Sequence, residues 1–516
     1  MDNQFLSLIT DPLLDPKQKT LALAGAADAN IPYLPRSEAL TQAMDKGIIC
    51  DMFEGHAPFK PRYVLPDYQR FLEQGSEYLE LTPAEDLDDA LMKLMVLYHH
   101  VPSVTNIPVF LGYLDSLLLP YCQDISDDAL YQKLKRFWIQ LDRTLPDAFM
   151  HANIGPEDNR VCRTILRIDA ELKQVAPNLT FMYDPKRTPK ALLRLATDNI
   201  IACSKPHIGN WPIHAQTFAS APCEAPNQTF GIVSCYNALP TRGGANTLVR
   251  LNLKAVAEEA STLEEMLERT LPHYCNLMYE LIELRCEFLH HRSHFFDSFL
   301  VKEGLIDESR FAPMFGVYAM AEAINHLQQL AGMSGEYGHS EQANALGLAI
   351  SRALSDRVTT TQVSFGFNGR ALLHAQGGLS IDKGTTPGVR IAYGHEPDPV
   401  THVLALAPQH AFYPSGISEI LTLDETIKAN PEALLELCIG ALNAGFREFT
   451  ANTADTDLVR ITGYMVKKSQ IASYRQQGSR TNTTFLGTEA SETTAVTQRA
   501  PRVVSAEFHA AGKSPV

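Results

Sequence analysis

Long runs of one chemical kind are missing from this chain. No stretch of about 18 apolar residues occurs, so no membrane-spanning helix is expected. No block of Lys and Arg appears, and the balance is acidic, with 44 basic against 59 acidic residues and a formal charge of −15. A nucleic-acid backbone or an anionic membrane surface is therefore excluded as the main partner, while nucleotides as small substrates stay open. The nine cysteines include no CxxC pair, which removes the common zinc and iron-sulfur spacings and argues against a disulfide framework. Reduced thiols in a cytosolic protein fit that pattern better. The opening MDNQFLSLITDPLLDPK has an acidic second residue, no basic segment and no sustained apolar segment. It does not read as a secretory signal, and a cytoplasmic location is expected.

What is present is ordinary globular chemistry: 516 residues, 45% hydrophobic, 20% charged and 8% aromatic. That is enough for one large domain of barrel size with a helical extension, or for two domains. A Pro-rich lead-in gives way to helices. Thr82-Pro83-Ala84-Glu85 reads as a capping box, with Leu87, Leu91, Leu94, Met95 and Tyr98 following at helical spacing. Ser126 opens another helix, with Leu130, Leu134, Phe137, Trp138 and Leu141 on one face. From about residue 150 the runs LTFMYD (179–184), NIIACSK (199–205), FGIVSCYN (230–237) and LVRLNL (248–253) read as strands. TPKALLRLATD reads as a helix between the first two, and Ser261-Thr262-Leu263-Glu264 opens a long one reaching to about Phe296. Strands alternating with helices predict an α/β domain, and a barrel is the form that hides every strand edge.

Residues 450–468, TANTADTDLVRITGYMVKK, carry the most unusual word. Arg460-Ile461-Thr462-Gly463-Tyr464 sets a glycine between a β-branched pair and a tyrosine, where a strand should tighten into a turn. Glycine is also the residue whose α-carbon radical has no side chain in the way and is stabilised by an amide on each side. Two cysteines could each be presented by a loop into a buried pocket. Cys203 and Cys235 both end apolar runs, and Cys235 has the richer surroundings: Tyr236-Asn237-Ala238-Leu239-Pro240, then Thr241-Arg242-Gly243-Gly244-Ala245-Asn246. A loop cysteine ahead of a Gly-rich turn is what close approach to a small polar ligand requires. For acid/base work the first candidate is Glu396 in GHEPDP and the second His374 in LLHAQGGLS, whose Gly377-Gly378 could cradle a polar group. His207, near Cys203, is also available, with a structural histidine the plainer account.

Arg-x-x-Gly-Tyr toward the end of a chain resembles the radical loop of glycyl radical enzymes, in which a stored glycyl radical oxidises a cysteine to a thiyl that attacks substrate. Cys235 followed by RGGANTLVRLNLKAVA resembles the thiyl-cysteine region of the anaerobic, class III ribonucleotide reductases. Arg242-Gly243, Asn246 and Asn252-Leu253 are kept, while Lys254-Ala255 stands where that family has Pro-Arg. MFGVYAMAEAINHL (314–327) resembles a Gly-x-x-x-x-x-Glu-Ala-Ile helix of the same family, and His395-Glu396-Pro397 and Tyr413-Pro414-Ser415 follow in its order. In the radical loop, Thr462 replaces the usual Ser, Cys or Ala, and Leu458 replaces a β-branched or Thr/Ser residue. Over the whole pattern the chain is identified as a member of the YjjI-type glycyl radical proteins, with the similarity running from residue 150 to 470.

The resemblance implies a ten-stranded α/β barrel over 151–468; the patterning before it gives an N-terminal loop-rich and helical region over 1–150, and the Ser, Thr, Gln, Arg and Ala composition after it a flexible polar tail over 469–516, longer than the family usually carries. It implies a radical stored on Gly463 with Arg460 and Tyr464 in support, a thiyl on Cys235, and substrate contacts from Asn237, Arg242, Gly243 and Asn246. No bound metal is expected; SAM and an iron-sulfur cluster would belong to a separate radical-SAM activase, and a homodimer is left open. The substrate would be small and polar, sugar-like and nucleoside-like molecules being in range, handled under anaerobic conditions. Three signatures of particular reactions are absent. Asn237 stands where diol-dehydratase-like members carry Glu; Ser234 and Tyr236 flank Cys235 where pyruvate formate-lyases pair two cysteines; residues 430–470 hold only Cys438 where the reductases have four zinc-binding cysteines. A reductase-like or formate-lyase-like activity, a radical-carrying repair or scaffold protein, and a soluble α/β protein with a chance RITGY are the alternatives.

Overall fold

The computed structural model describes residues 2–478, apart from 30, 32–33, 51–53, 55–57, 104–108, 146–148, 221–228, 235, 376–383 and 462–464. Cys235, Gly377-Gly378, Gly463, Tyr464 and most of the 469–516 tail thus lie outside the described residues.

The strands in chain order are β1 (Ile49–Cys50), β2 (Tyr63–Leu65), β3 (Phe110–Tyr113), β4 (His151–Ile154) and β5 (Asn178–Tyr183). They continue with β6 (His207–Asn210), β7 (Phe230–Val233), β8 (Asn237–Pro240), β9 (Gly243–Asn252) and β10 (Phe311–Tyr318). The last are β11 (Leu372–Ala375), β12 (Ser418–Leu423), β13 (Glu448–Thr453), β14 (Leu458–Arg460) and β15 (Met465–Lys467). A six-stranded sheet runs β12-β13-β6-β5-β4-β3, with β3 to β6 parallel and β13 antiparallel to β6. A five-stranded sheet has β9, β10 and β11 parallel, with β1 and β2 antiparallel on β9. Two antiparallel hairpins, β7–β8 and β14–β15, complete the set. The α/β class expected from the sequence is therefore present; among the described residues no ladder joins β11 to β12.

The six-stranded sheet is buried on both faces, yet its strands alternate. Ala152, Leu179, Phe181, Ile208, Phe449 and Ala451 are the apolar set, all at 0% exposure. The helices Asp127–Thr144, Arg160–Leu172, Lys190–Cys203 and Pro431–Asn443 pack in series beside them. The other parity is polar: His151 pairs with Asn178, Asn153 with Thr180, Thr180 with His207, and Gly209 with Glu448. Polar residues on every second position of a doubly buried sheet mean that the interior is wetter in chemistry than the shell.

Local departures from the sequence reading have simple causes. Residues 199–203 continue the helix Lys190–Cys203 because Leu192, Leu193, Ala196 and Ile200 bury one helical stripe, which overrides the strand preference of Ile200-Ile201. Asp86, not Thr82, caps the helix Leu87–Tyr98, its side chain accepting from Asp89 N. The 314–327 segment divides into strand β10 and the helix Met320–Leu330 at Ala319, which sits at φ +65°. The first 150 residues are not only a lead-in, since β1, β2 and β3 enter the two sheets. No described helix is long and apolar enough to cross a membrane.

Candidate active site

The β7–β8 hairpin carries Cys235 at its tip, and its flanks fix where the hairpin goes. Asn153 of β4 clamps Ile232 through both amide atoms, Oδ1 accepting from the Ile232 N–H and Nδ2 donating to its carbonyl, each at 2.8 Å. His151, on the same face, donates from Nδ1 to the Ser234 carbonyl at 2.8 Å, which leaves Nε2 to accept from the Thr180 hydroxyl at 2.7 Å. Ser234 turns the chain at φ +57°. On the other edge, Ala238 N donates to Ser415 O at 2.8 Å and the Ser415 hydroxyl to Ala238 O at 3.2 Å. Gly416, at φ +132°, lets the backbone close in, for a Cβ there would lie 2.0 Å from Tyr236 O. Asn153→Ala should cost about 3 kcal/mol, because two buried backbone groups of Ile232 lose their partner. A lowered unfolding midpoint in urea checks it.

The β14–β15 hairpin carries Gly463 between Arg460 and Met465. Arg460 is fully buried. Its N–H donates to Asn452 Oδ1 at 2.8 Å while Asn452 Nδ2 donates back to its carbonyl at 2.9 Å. The guanidinium reaches Asn178 Oδ1 at 3.3 Å and Ser204 O at 3.2 Å. The Tyr393 hydroxyl donates to Ile461 O at 3.0 Å. Cys203, the other cysteine considered from sequence, lies in the base of this hairpin with Val175, Leu458 and Met465, and burial pushes its thiol up to about 12.

These two sets of anchors meet. His151 and Asn178 are direct register partners on neighbouring strands, so the residue before Cys235 and the arginine three before Gly463 hang from one level of one sheet. The His207 ring lies parallel to that of His151 at 6.3 Å, and the Arg460 charge bears on both.

His374 joins the hairpin tip from the five-stranded sheet, donating from Nδ1 to Ser415 O at 2.9 Å and stacking on Tyr236 at 5.5 Å. Arg390 stands on the other side, its guanidinium carbon 5.4 Å from the Tyr236 ring and Nε donating to Ser418 O at 2.7 Å. Burial opposes its charge, and Tyr236, Tyr393 and Glu419 more than offset that. Asn237 ties the hairpin across itself, Nδ2 donating to Val233 O at 2.9 Å. Other residues named from sequence sit elsewhere. Glu396 is buried, with Oε2 accepting from Gly394 N at 2.8 Å within its own turn. Arg242 lines a cleft of about 490 Å³ with Asp67, Arg70 and Tyr113, at the far end of β8 from the tip. Gly243 lies against Arg310, whose carbonyl a Cβ would meet at 2.1 Å, and Asn246 bonds Phe365 O at 2.6 Å and His290 at 3.2 Å. Sequence reasoning missed His151, Asn153, Asn178, Arg390 and Asn452, although HANI alternates polar and apolar residues and NLTFMY and EFTANT begin the same way.

Four interior histidines, His151, His207, His214 and His410, are fully buried, and burial is the first cause that pushes each one down, His151 and His214 to about 3. They are neutral when folded and bind protons near pH 6.5 when unfolded. Stability is therefore at its full value above about pH 6.5 and falls with pH, by about 1.4 kcal/mol per unit for each such histidine until the folded pKa is reached. Urea midpoints should drop steeply between pH 7 and pH 5.

The sequence profile described as "Glycyl radical enzyme YjjI-like" matches residues 14–502. The uncharacterised protein YjjI of Escherichia coli (strain K12) is 58% identical over 501 residues, covering 97% of this chain and 96% of that one. Among solved structures, the glycerol-bound B12-independent glycerol dehydratase of Clostridium butyricum superposes with a TM-score of 0.71 at 12% identity, covering 97% of this chain and 88% of its own. The anaerobic ribonucleotide reductase of Thermotoga maritima with dATP and CTP gives 0.64 at 11% identity, covering 92% and 87%. Likeness at that identity speaks for the fold; the profile and the 58% relative speak for more, and by them this chain belongs to the YjjI-like family of glycyl radical enzymes.

Proposed function

We propose that Gly463 stores the radical, that Cys235 passes it to the substrate, and that the substrate is a small polar molecule bound against the polar inner face of the six-stranded sheet. The observation that carries this reading is the common level of the two anchors, Ser234 on His151 and Arg460 on Asn178. Hydrogen transfer between a glycine α-carbon and a thiol needs near contact, so two loops that hang from adjacent register positions suit it. Such a radical, placed on Gly463 by a separate radical-SAM activase, supplies the one-electron oxidation that starts turnover.

The chain's own residues do the rest. His151, Asn153 and Ser415 hold the cysteine hairpin from both edges, and Arg460 with Asn452 holds the glycine hairpin. Buried Ile461 and Met465 keep water from the glycine loop. His374, its Nδ1–H donated to Ser415 O, stands beside Tyr236, and Arg390 sets a positive charge near the same ring. Those two suit a substrate bearing oxygen atoms. We further read the two sheets as parts of one barrel of ten strand positions, β1 and β2 sharing one edge of β9, closed around the hairpins and supported by β7 packing on β3 and β4 while β8 packs on β9.

Anaerobic profiling of small molecules tests the reading. Activase-treated protein should consume a compound from an anaerobic cell extract that untreated protein leaves alone. Equal profiles would overturn it.

A further inference from the structure

The inner face has more hydrogen-bonding capacity than the hairpins use. Glu448, in register with Gly209, is fully buried, and no described residue hydrogen-bonds either of its carboxyl oxygens. His214, in the helix Trp211–Thr217, is equally buried; its Nε2 lies 3.7 Å from Glu448 Oε1, too far for a hydrogen bond. The His214 ring approaches the Arg447 backbone without a hydrogen bond of good geometry, and the buried Tyr113 hydroxyl, on which the Glu448 charge bears, has no hydrogen-bond partner among the described residues. Arg447 does not take up the carboxylate, for its Nε donates to His410 O at 2.7 Å and Nη1 to the Thr217 hydroxyl at 3.0 Å. His214 stacks on Phe230 at 5.4 Å, which sets the pair against the first residue of the cysteine hairpin. Leaving the Glu448 carboxylate and the Tyr113 hydroxyl buried without partners costs roughly 1–3 kcal/mol each, a cost that a bound molecule bringing hydrogen-bonding oxygen atoms would relieve.

We propose that Glu448, backed by His214, is the catalytic acid/base of the reaction, giving a proton to a substrate oxygen next to the reacting carbon and taking one back. The proposal rests on the radical reading above. In the forward step the carboxylic O–H bond breaks, the new O–H bond forms on the substrate oxygen, and the electron pair stays on Glu448. Glu448 recovers its proton from another hydroxyl of the substrate or, through His214, from water, so no oxidant or reductant is consumed. Burial favours this assignment by raising the Glu448 carboxyl well above the carboxylate range, with Arg447 and Arg460 only partly opposing. His214 is kept neutral and able to accept. Glu396 is the poorer choice, because one of its oxygens serves its own turn.

Glu448→Gln in the full-length, anaerobically activated protein tests this. It should keep the glycyl paramagnetic resonance doublet, lose an infrared carbonyl band of a protonated carboxylic acid that moves in heavy water, and slow consumption of the extract compound by about 100-fold or more. Turnover within about threefold of wild type would overturn the assignment, and so would an ionised Glu448 at pH 7. If Glu448→Gln does not accumulate folded, isotope-labelled glutamate in the wild type decides by the presence or absence of that band. A wild type that consumes nothing beyond what Cys235→Ala consumes would instead overturn the radical reading on which this rests.

Discussion

Gly463→Ala should give a folded protein that shows no radical after treatment with the activase. A glycine α-carbon radical is planar and flanked by two amides; a methyl group there crowds the planar arrangement and removes the second hydrogen on which stereochemically selective abstraction depends. The flanks hold themselves without Gly463. The Asn452 side chain makes two hydrogen bonds to the Arg460 backbone, the Tyr393 hydroxyl holds Ile461, and β14 pairs with β15 from Leu458–Lys467 to Arg460–Met465. Stability should therefore change by about 1 kcal/mol or less, the usual range for a substitution that breaks no buried network. Doublet intensity and a urea midpoint, measured on the same preparation, separate loss of the radical from loss of the fold.

Cys235→Ala should do the reverse, keeping the doublet and losing turnover on the order of 10⁴-fold or more, the scale seen when the group that makes the first bond to substrate is removed. The hairpin should survive, since its grip comes from Asn153 on Ile232, His151 on Ser234 and Ser415 on Ala238, none of which involves the Cys235 side chain. Cys235→Ser should be equally inactive, because an O–H bond is too strong for a glycyl radical to break. A radical-donating repair or scaffold protein would keep its function in both variants. Comparing compound consumption at equal doublet intensity distinguishes the two accounts.

Much of the candidate site was legible because the two residues proposed as its centre sit in distinctive words. RITGY and the Cys235 loop ahead of RGGAN stand out as sequence, while the single strand read over 230–237 divides in the structure into β7, a turn at Ser234 and the start of β8, because Ser234 takes a left-handed φ. The residues that hold those loops were not legible, for a physical reason. In HANI, and at the start of NLTFMY and EFTANT, the polar residues occupy alternate positions, and such a strand ordinarily turns its polar face to water. Here His151, Asn178 and Glu448 are fully buried, so the same pattern marks an interior. Alternation gives the two faces but not which one is inside. Arg242 and Asn246, expected from the resemblance to contact substrate, lie beyond β8 and within β9, where Arg242 lines a cleft with Asp67 and Asn246 bonds Phe365 O.

The central claim is that this chain stores its radical on Gly463. Protein labelled with α-deuterated glycine, activated beside unlabelled protein with an activase that is active on a control, tests it most directly by electron paramagnetic resonance. The account predicts a doublet from the single α-hydrogen in unlabelled protein, its collapse to a singlet in labelled protein, and no signal from Gly463→Ala. A signal that survives in Gly463→Ala, or a doublet that deuterated glycine leaves unchanged, would contradict it.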